Sequence, residues 1–281
     1  MRVVAGAMVV ALGTACLDSP PALVDPDIVA DAARGDDGTA ADGASCAGGA
    51  WSAPVKVAGL SGVLVSAPTV SDDGKLLIYD AGPDLAVATW NGETYVPAPS
   101  GLVAALGSGA DEDGPSLSKD GLTLWFLRAG LLRVAVRTAG NDFADDQPVA
   151  GLAETAMLGP EMLEEEAGLS LFYSPSGEVP DSIFQAPCSD ATACSSATQV
   201  EELDEAGNER FPTLSSDGGE IIFRSSVVPG LVSYRRAGPG EPFEQRGQVG
   251  VDALHPELAL GDTTLFVVID DELYTLTRAC E

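Results

Sequence analysis

Pro68-Thr-Val-Ser-Asp-Asp-Gly-Lys-Leu-Leu-Ile-Tyr79 decides the fold, because the same pattern returns four more times. The copies are PSLSKDGLTLWF from Pro115, PEMLEEEAGLSLFY from Pro160, PTLSSDGGEIIF from Pro212 and PELALGDTTLFV from Pro256, at intervals of 47, 45, 52 and 44 residues. A period in that range with strand-type content marks a β-propeller, one four-stranded blade per repeat. Pro lacks a backbone donor, so it is expected at the first residue of the innermost strand. The Asp-Gly pairs at Asp73-Gly74, Asp120-Gly121 and Asp217-Gly218 supply the positive φ of a tight hairpin. Apolar residues and an aromatic then fill a half-buried second strand. The third copy has a turn lengthened through Glu164-Glu165-Glu166, and the fifth reverses its turn to Gly261-Asp262. Both departures fall in loops, where insertion is tolerated.

Third strands follow at Leu85, Leu132, Ile183, Val232 and Leu273, 17 to 23 residues after each Pro. Fourth strands are expected over 95–102, 143–152, 194–203 and 243–251, each opening on an aromatic or Cys. The fifth, 51–60, precedes the first copy, while the last copy ends at Glu281 without one of its own. The expectation is therefore an all-β, five-bladed propeller of four-stranded antiparallel blades, closed by pairing of the segment from Trp51 with the last blade.

The Pro-x-x-Ser-x-Asp-Gly-x-x-apolar-x-aromatic repeat, followed by an Asp/Ser-Leu/Ile-aromatic strand, resembles the TolB-type, WD-like propeller repeat over residues 51–281. The resemblance implies a role as an interaction partner in the cell envelope. It also makes six blades the alternative count.

Residues 1–15 carry one basic residue, Arg2, and an apolar run too short to span a bilayer, which reads as a secretory signal. Leu12-Gly13-Thr14-Ala15-Cys16 is similar to a bacterial lipoprotein cleavage box, with Cys16 as the lipidated residue and a lipid anchor in the membrane. Leu17 after that Cys implies passage to the outer membrane. Plain secretion is the alternative. Residues 16–50 are rich in Ala, Asp, Gly and Pro without aromatics, which suits a disordered tether of about 30 Å root-mean-square span.

Four further cysteines, Cys46, Cys188, Cys194 and Cys280, form an even set in an exported chain and permit three pairings. The strand map selects Cys188–Cys194 across one hairpin and Cys46–Cys280 across the closure of the ring. A bridge closing so long a loop stabilises by about 5 kcal/mol in the chain-entropy model.

With 14 Lys and Arg against 43 Asp and Glu, the net charge is −29. Such a surface repels phosphate, which excludes nucleic acid and anionic lipid as partners and also serves solubility. Asp111, Glu112 and Asp113 precede the second Pro, where a carboxylate loop can hold a structural Ca²⁺ or be a solvated turn. His255 is the only His, directly before Pro256 near the inner rim. No Gly-x-Ser-x-Gly elbow occurs and no hydrolase domain fits beside the propeller, which excludes the peptidase version of the family. The residues after each Pro, Thr69, Ser116, Glu161, Thr213 and Glu257, face the central channel. Glu161 and Glu257 are its acidic members, and a glycosidase needs only two or three such carboxylates.

The reading is a membrane-tethered, extracytoplasmic module, monomeric, without catalytic residues or a cofactor, binding an envelope protein or glycan. The rival is a carbohydrate-active hydrolase using Glu161 and Glu257.

Overall fold

The computed structural model describes residues 49–138, 142–152, 156–165, 168–177, 181–205, 207–238 and 240–279. They form five antiparallel blades and almost no helix, so the count is five and the six-bladed alternative falls away. Blade 1 comprises Ser66–Val70, Leu76–Asp80, Leu85–Trp90 and Tyr95–Pro97. Blade 2 comprises Glu112–Leu117, Thr123–Arg128, Leu131–Arg137 and Phe143–Pro148. Blade 3 comprises Met157–Glu165, Gly168–Pro175 and Phe184–Asp190, with its outer edge split into Ala193–Cys194 and Thr198–Gln199. Blade 4 comprises Glu209–Leu214, Glu220–Ser225, Gly230–Arg235 and Gln245–Gln248. Blade 5 comprises Leu254–Ala259, Thr264–Ile269 and Glu272–Thr277, completed by Val55–Lys56.

That last pairing closes the ring. Val55 lies opposite Thr275 and Lys56 opposite Tyr274, flanked by the Ser52 N–H to Thr277 and Val57 N–H to Leu273 carbonyl bonds. The Arg278 guanidinium stacks 4.4 Å over the Trp51 ring. The outer strands are shorter than expected, because several of the segments leave the ladder early. Tyr95–Pro97, for example, gives way to short 3-10 turns at Ser100–Leu102 and Ala104–Leu106. Cys16, Cys46 and Cys280, with the signal and nearly all of the tether, lie outside the described residues.

The core sits between blades, one apolar cluster per seam. Alternation along each second strand feeds both neighbours, because successive side chains point to opposite faces of a sheet. Leu124 and Phe126 pack toward blade 1, while Trp125 and Leu127 pack toward blade 3. A strand apolar on both faces is thus what a blade with two seams requires. No described helix is long and apolar enough to cross a membrane.

Each Ser-x-Asp-Gly turn is held by its own side chains. The Ser71 hydroxyl donates to Asp73 at 2.7 Å and accepts the Leu76 N–H at 3.0 Å, and Asp73 accepts the Lys75 N–H. Ser118–Asp120 and Ser215–Asp217 repeat the arrangement. Gly74, Gly121 and Gly218 take φ of 68°, 70° and 67°. The fifth turn lacks the Ser, and there the Thr263 hydroxyl donates to the Leu260 carbonyl instead.

Candidate functional site: the central channel

The innermost strand of every blade carries a β-bulge directly before its Pro. Register slips between Ser66 and Thr69, Asp113 and Ser116, Leu158 and Glu161, Arg210 and Thr213, and Leu254 and Glu257. The bulged residue has positive φ each time: Ala67 39°, Gly114 53°, Gly159 53°, Phe211 56° and His255 46°. Three of these are not Gly and sit in a sparsely populated region, a strain that the ring must hold in place. This corrects the expected place of the prolines. They lie inside the strands, after the bulge, where the edge faces the channel and no ladder donor is lost.

The bulge aims the next residue into the channel and at the neighbouring blade. Thr69 Oγ1 accepts the Leu117 N–H at 3.0 Å, and Ser116 Oγ accepts the Met162 N–H at 3.1 Å. Glu161 accepts the Leu214 N–H. Thr213 Oγ1 accepts the Leu258 N–H at 3.0 Å, and Glu257 Oε1 accepts the Val70 N–H at 3.1 Å. Blade 1 thus binds blade 2, and so on round to blade 5 binding blade 1. The five side chains form a closed girdle inside the wheel. The polar residue after every Pro was its signal in the sequence, but one hidden among chemically different side chains.

Glu161 and Glu257 are therefore brought into one channel. The Thr69 hydroxyl donates to Glu257 at 3.0 Å, while Ser116 and Thr213 donate to Glu161 over longer contacts of 3.4 and 3.5 Å. Glu161 is half-buried and Glu257 buried. Burial pushes its carboxyl up to about 7 against the backbone and hydroxyl donors that favour the anion. Glu257 is pushed well above the usual range, first by burial and then by the charge of Glu161. Both shifts follow from taking a charge out of water, and for Glu257 also from the like charge beside it.

Side chains link blades at both ends of the channel: Lys119, which the sequence did not single out, and His255, which it did. On the hairpin-turn side, Lys119 Nζ of blade 2 reaches the Ser216 carbonyl of blade 4 at 2.5 Å, and the Ser216 hydroxyl donates to Asp262 of blade 5 at 2.8 Å. On the bulge side, the Phe211 and His255 rings lie 3.9 Å apart between centroids. His255 Nε2 is 3.2 Å from Ser66 Oγ. Burial lowers the His255 imidazole to about 4, so it is neutral at physiological pH.

The three acidic residues before Pro115 do not act together. Glu112 opens the inner strand of blade 2, buried, and accepts from Arg128 Nε at 2.8 Å and from Ser108 Oγ at 2.5 Å. Asp113 stays near Asp111, joined by Asp80 of blade 1. Burial, then Asp80 and Asp111, raise its carboxyl to about 6. Among the described residues, no three His, Cys, Asp or Glu side chains converge as a metal site. The Cys188–Cys194 bond is present and staples the end of the third strand of blade 3. Glu164 and Glu165 end the inner strand of that blade, and Arg236 of blade 4 pairs with Glu165 at 3.1 Å. Glu166 lies outside the described residues. A cavity of about 250 Å³, lined by Asp84, Leu85, Val103, Leu106 and Glu112 among others, is smaller than the usual small-ligand pocket.

No family model matches the sequence, and no curated protein does. Among solved structures, the catalytic domain of the Coprinopsis cinerea GH62 alpha-L-arabinofuranosidase is similar at 11% identity and a TM-score of 0.58, over 83% of this chain and 98% of that one. The alpha-L-arabinofuranosidase of Lactobacillus brevis is similar at 12% identity and a TM-score of 0.51, over 79% and 92%. TolB from Acinetobacter baumannii is similar at 13% identity and a TM-score of 0.46, over 76% of this chain and 54% of that one. TolB-type propellers are thus among the structural neighbours. At these identities the likeness is one of fold, and the chain is a five-bladed β-propeller.

Proposed function

We propose that the protein is an extracytoplasmic binding or scaffolding module whose faces meet an envelope protein or a glycan, tethered to the membrane through Cys16. The observation that carries this reading is the use of the channel carboxyls. Glu161 and Glu257 hold the same girdle positions as Thr69, Ser116 and Thr213, and accept the same backbone N–H from the next blade. A glycosidase needs an acid and a base or nucleophile open to the sugar on both sides of the scissile bond. Here Lys119 spans one mouth, bonded to the Ser216 carbonyl of blade 4, and both carboxyls are engaged by the hydrogen bonds that tie blade to blade. The Cys188–Cys194 bond supports export, since such bonds persist in oxidising compartments. The acidic surface favours cationic or neutral partners over polyanions.

The test is capture on the immobilised propeller, using defined envelope glycans and envelope extract, with the retained molecule identified and its affinity remeasured in purified form. Glu161→Gln and Glu257→Gln are expected to bind it as the wild type does. Glycan turnover by the wild type, abolished by either single change, would replace this reading with the hydrolase.

A further inference from the structure

The cavity of about 250 Å³ lies in the seam between blades 1 and 2. Asp84 and Leu85 reach it from the start of the third strand of blade 1, and Val103, Leu106 and Gly107 from the connection that follows that blade. Glu112, the first residue of the inner strand of blade 2, completes it. Its walls are fixed by the backbone. The Leu106 N–H closes on the Val103 carbonyl at 2.9 Å, and the Glu112 N–H holds the Pro83 carbonyl at 2.9 Å.

Glu112 carries a carboxylate that the protein only half satisfies. Its side chain is 2% exposed. Oε1 accepts Arg128 Nε at 2.8 Å and Ser108 Oγ at 2.5 Å, whereas Oε2 is buried and has no hydrogen-bond partner. Arg128 directs its other nitrogens to Asp146 and the Leu106 carbonyl. A buried acceptor without a donor is costly, and a group from outside the chain is one way to satisfy it.

The charge around the cavity is one-sided. Arg128 and Arg133 are matched by Glu112 and Asp146. Asp84 lines the cavity, Asp80 lies opposite Leu85 across the ladder, and Asp111 and Asp113 flank Glu112 in the chain. None of these four is in an ion pair among the described residues. Burial, and after it neighbouring carboxylates, raise the carboxyls of Asp80 and Asp113.

We propose that this cavity is a binding site for a small organic cation, a primary alkylammonium ion, with its head between Glu112 and Asp84 and its chain on Leu85, Val103 and Leu106. An ammonium brings three N–H donors to acceptors that have none to offer each other, and a short alkyl stem suits the apolar wall. An anion meets only carboxylates here. A metal ion is a poor fit, because no three His, Cys, Asp or Glu side chains converge among the described residues and the leucines and valine give it no ligand. The small volume limits the ligand to a few heavy atoms. The site goes beyond the binding role proposed above and does not depend on it.

The experiment titrates the full chain, isotope-labelled, with n-butylammonium chloride at constant ionic strength and neutral pH. Amide shifts are followed at Leu85, Ala104, Gly107 and Glu112. Saturable shifts centred on these amides are expected, with a dissociation constant on the order of 1 mM for so small a ligand. n-Butanol lacks the charge and tetramethylammonium lacks the N–H donors, so each is expected to bind about tenfold more weakly or worse. Gly107 has φ −59° and ψ 123°, which any residue adopts, and a Cβ there would lie 3.6 Å from the Ala104 carbonyl and 3.8 Å from Asp84 Oδ1. Gly107→Val is therefore expected to abolish binding by filling the cavity. Asp84→Asn, at an exposed position, is expected to weaken it about threefold to tenfold, and Glu112→Gln by about tenfold or more. Shifts that never saturate, or that spread evenly over the acidic surface, overturn the site. So does equal affinity for n-butanol or calcium chloride, or unchanged affinity in both Asp84→Asn and Gly107→Val. These two variants decide if Glu112→Gln does not fold. The outcome is separate from partner capture, since it uses no envelope component.

Discussion

Glu112 and Glu209 occupy the same place in blades 2 and 4, two residues before the bulge, and both are buried. Across the ladder, Glu112 faces Arg128, while Glu209 faces Ser225. Arg128 bonds Glu112 and also Asp146, which in turn pairs with Arg133, so blade 2 carries a connected ionic network. Glu209 has no basic partner among the described residues. Burial, with the charges of Asp204 and Glu205 beside it, pushes its carboxyl up to about 7. One repeat position thus holds an ion-paired Glu in one blade and, in another, a Glu without a cation whose carboxyl is raised. The difference is made by the residue opposite, 16 positions downstream in both cases, and not by the Glu.

The harshest way to break the comparison is Arg128→Ala. It leaves Glu112 buried without its cation, and a loss of about 3–5 kcal/mol is expected by urea unfolding. A loss below 1 kcal/mol would make the two blades equivalent after all. Glu209→Gln goes the other way. Above pH 7 the wild type must carry the buried anion, whereas below about 4.5 both states of the chain are protonated. The substitution is therefore expected to be stabilising by about 1–3 kcal/mol at pH 8 and nearly neutral at pH 4, read from melting curves at the two values. A destabilising effect at pH 8 would show that the anion is well held by its loop. The smallest effect is expected from Asp146→Asn, which trims the outer-strand end of the blade 2 network. A cost of about 1 kcal/mol is expected, shrinking in high salt if it is electrostatic. A larger, salt-insensitive cost would locate the strength of the network there instead of at Glu112.

The same contrast runs through what the chain discloses before folding. The Asp-Gly turns, the second-strand aromatics and the pairing of the Trp51 segment with the last blade were legible, because local turn chemistry and alternation act within a few residues. The strand from Thr123 to Arg128 reads as buried on both sides for that reason. The positive φ at Phe211 and His255 was not legible, since neither residue type favours it and only the neighbouring blades impose it. Nor was the partner of Glu112, because Asp111, Glu112 and Asp113 look alike in a string. Their separation into a buried ion pair and exposed or half-buried neighbours comes from strand alternation against a particular opposite residue. Cys188–Cys194 was legible as a local hairpin bridge, while the proposed Cys46–Cys280 bond involves residues outside those described.

By itself, the sequence determined that the protein is a wheel of five sectors, how each sector turns, and where the wheel is joined. These properties rest on short-range steric and hydrophobic rules that repeat with each copy. Only the tertiary structure decided that Thr69, Ser116, Glu161, Thr213 and Glu257 bind round the channel as one girdle, that Lys119 reaches from blade 2 to blade 4, and that Phe211 meets His255. Those contacts join residues about 45 to 190 positions apart, and their energies depend on burial and on mutual charge, which no local pattern encodes.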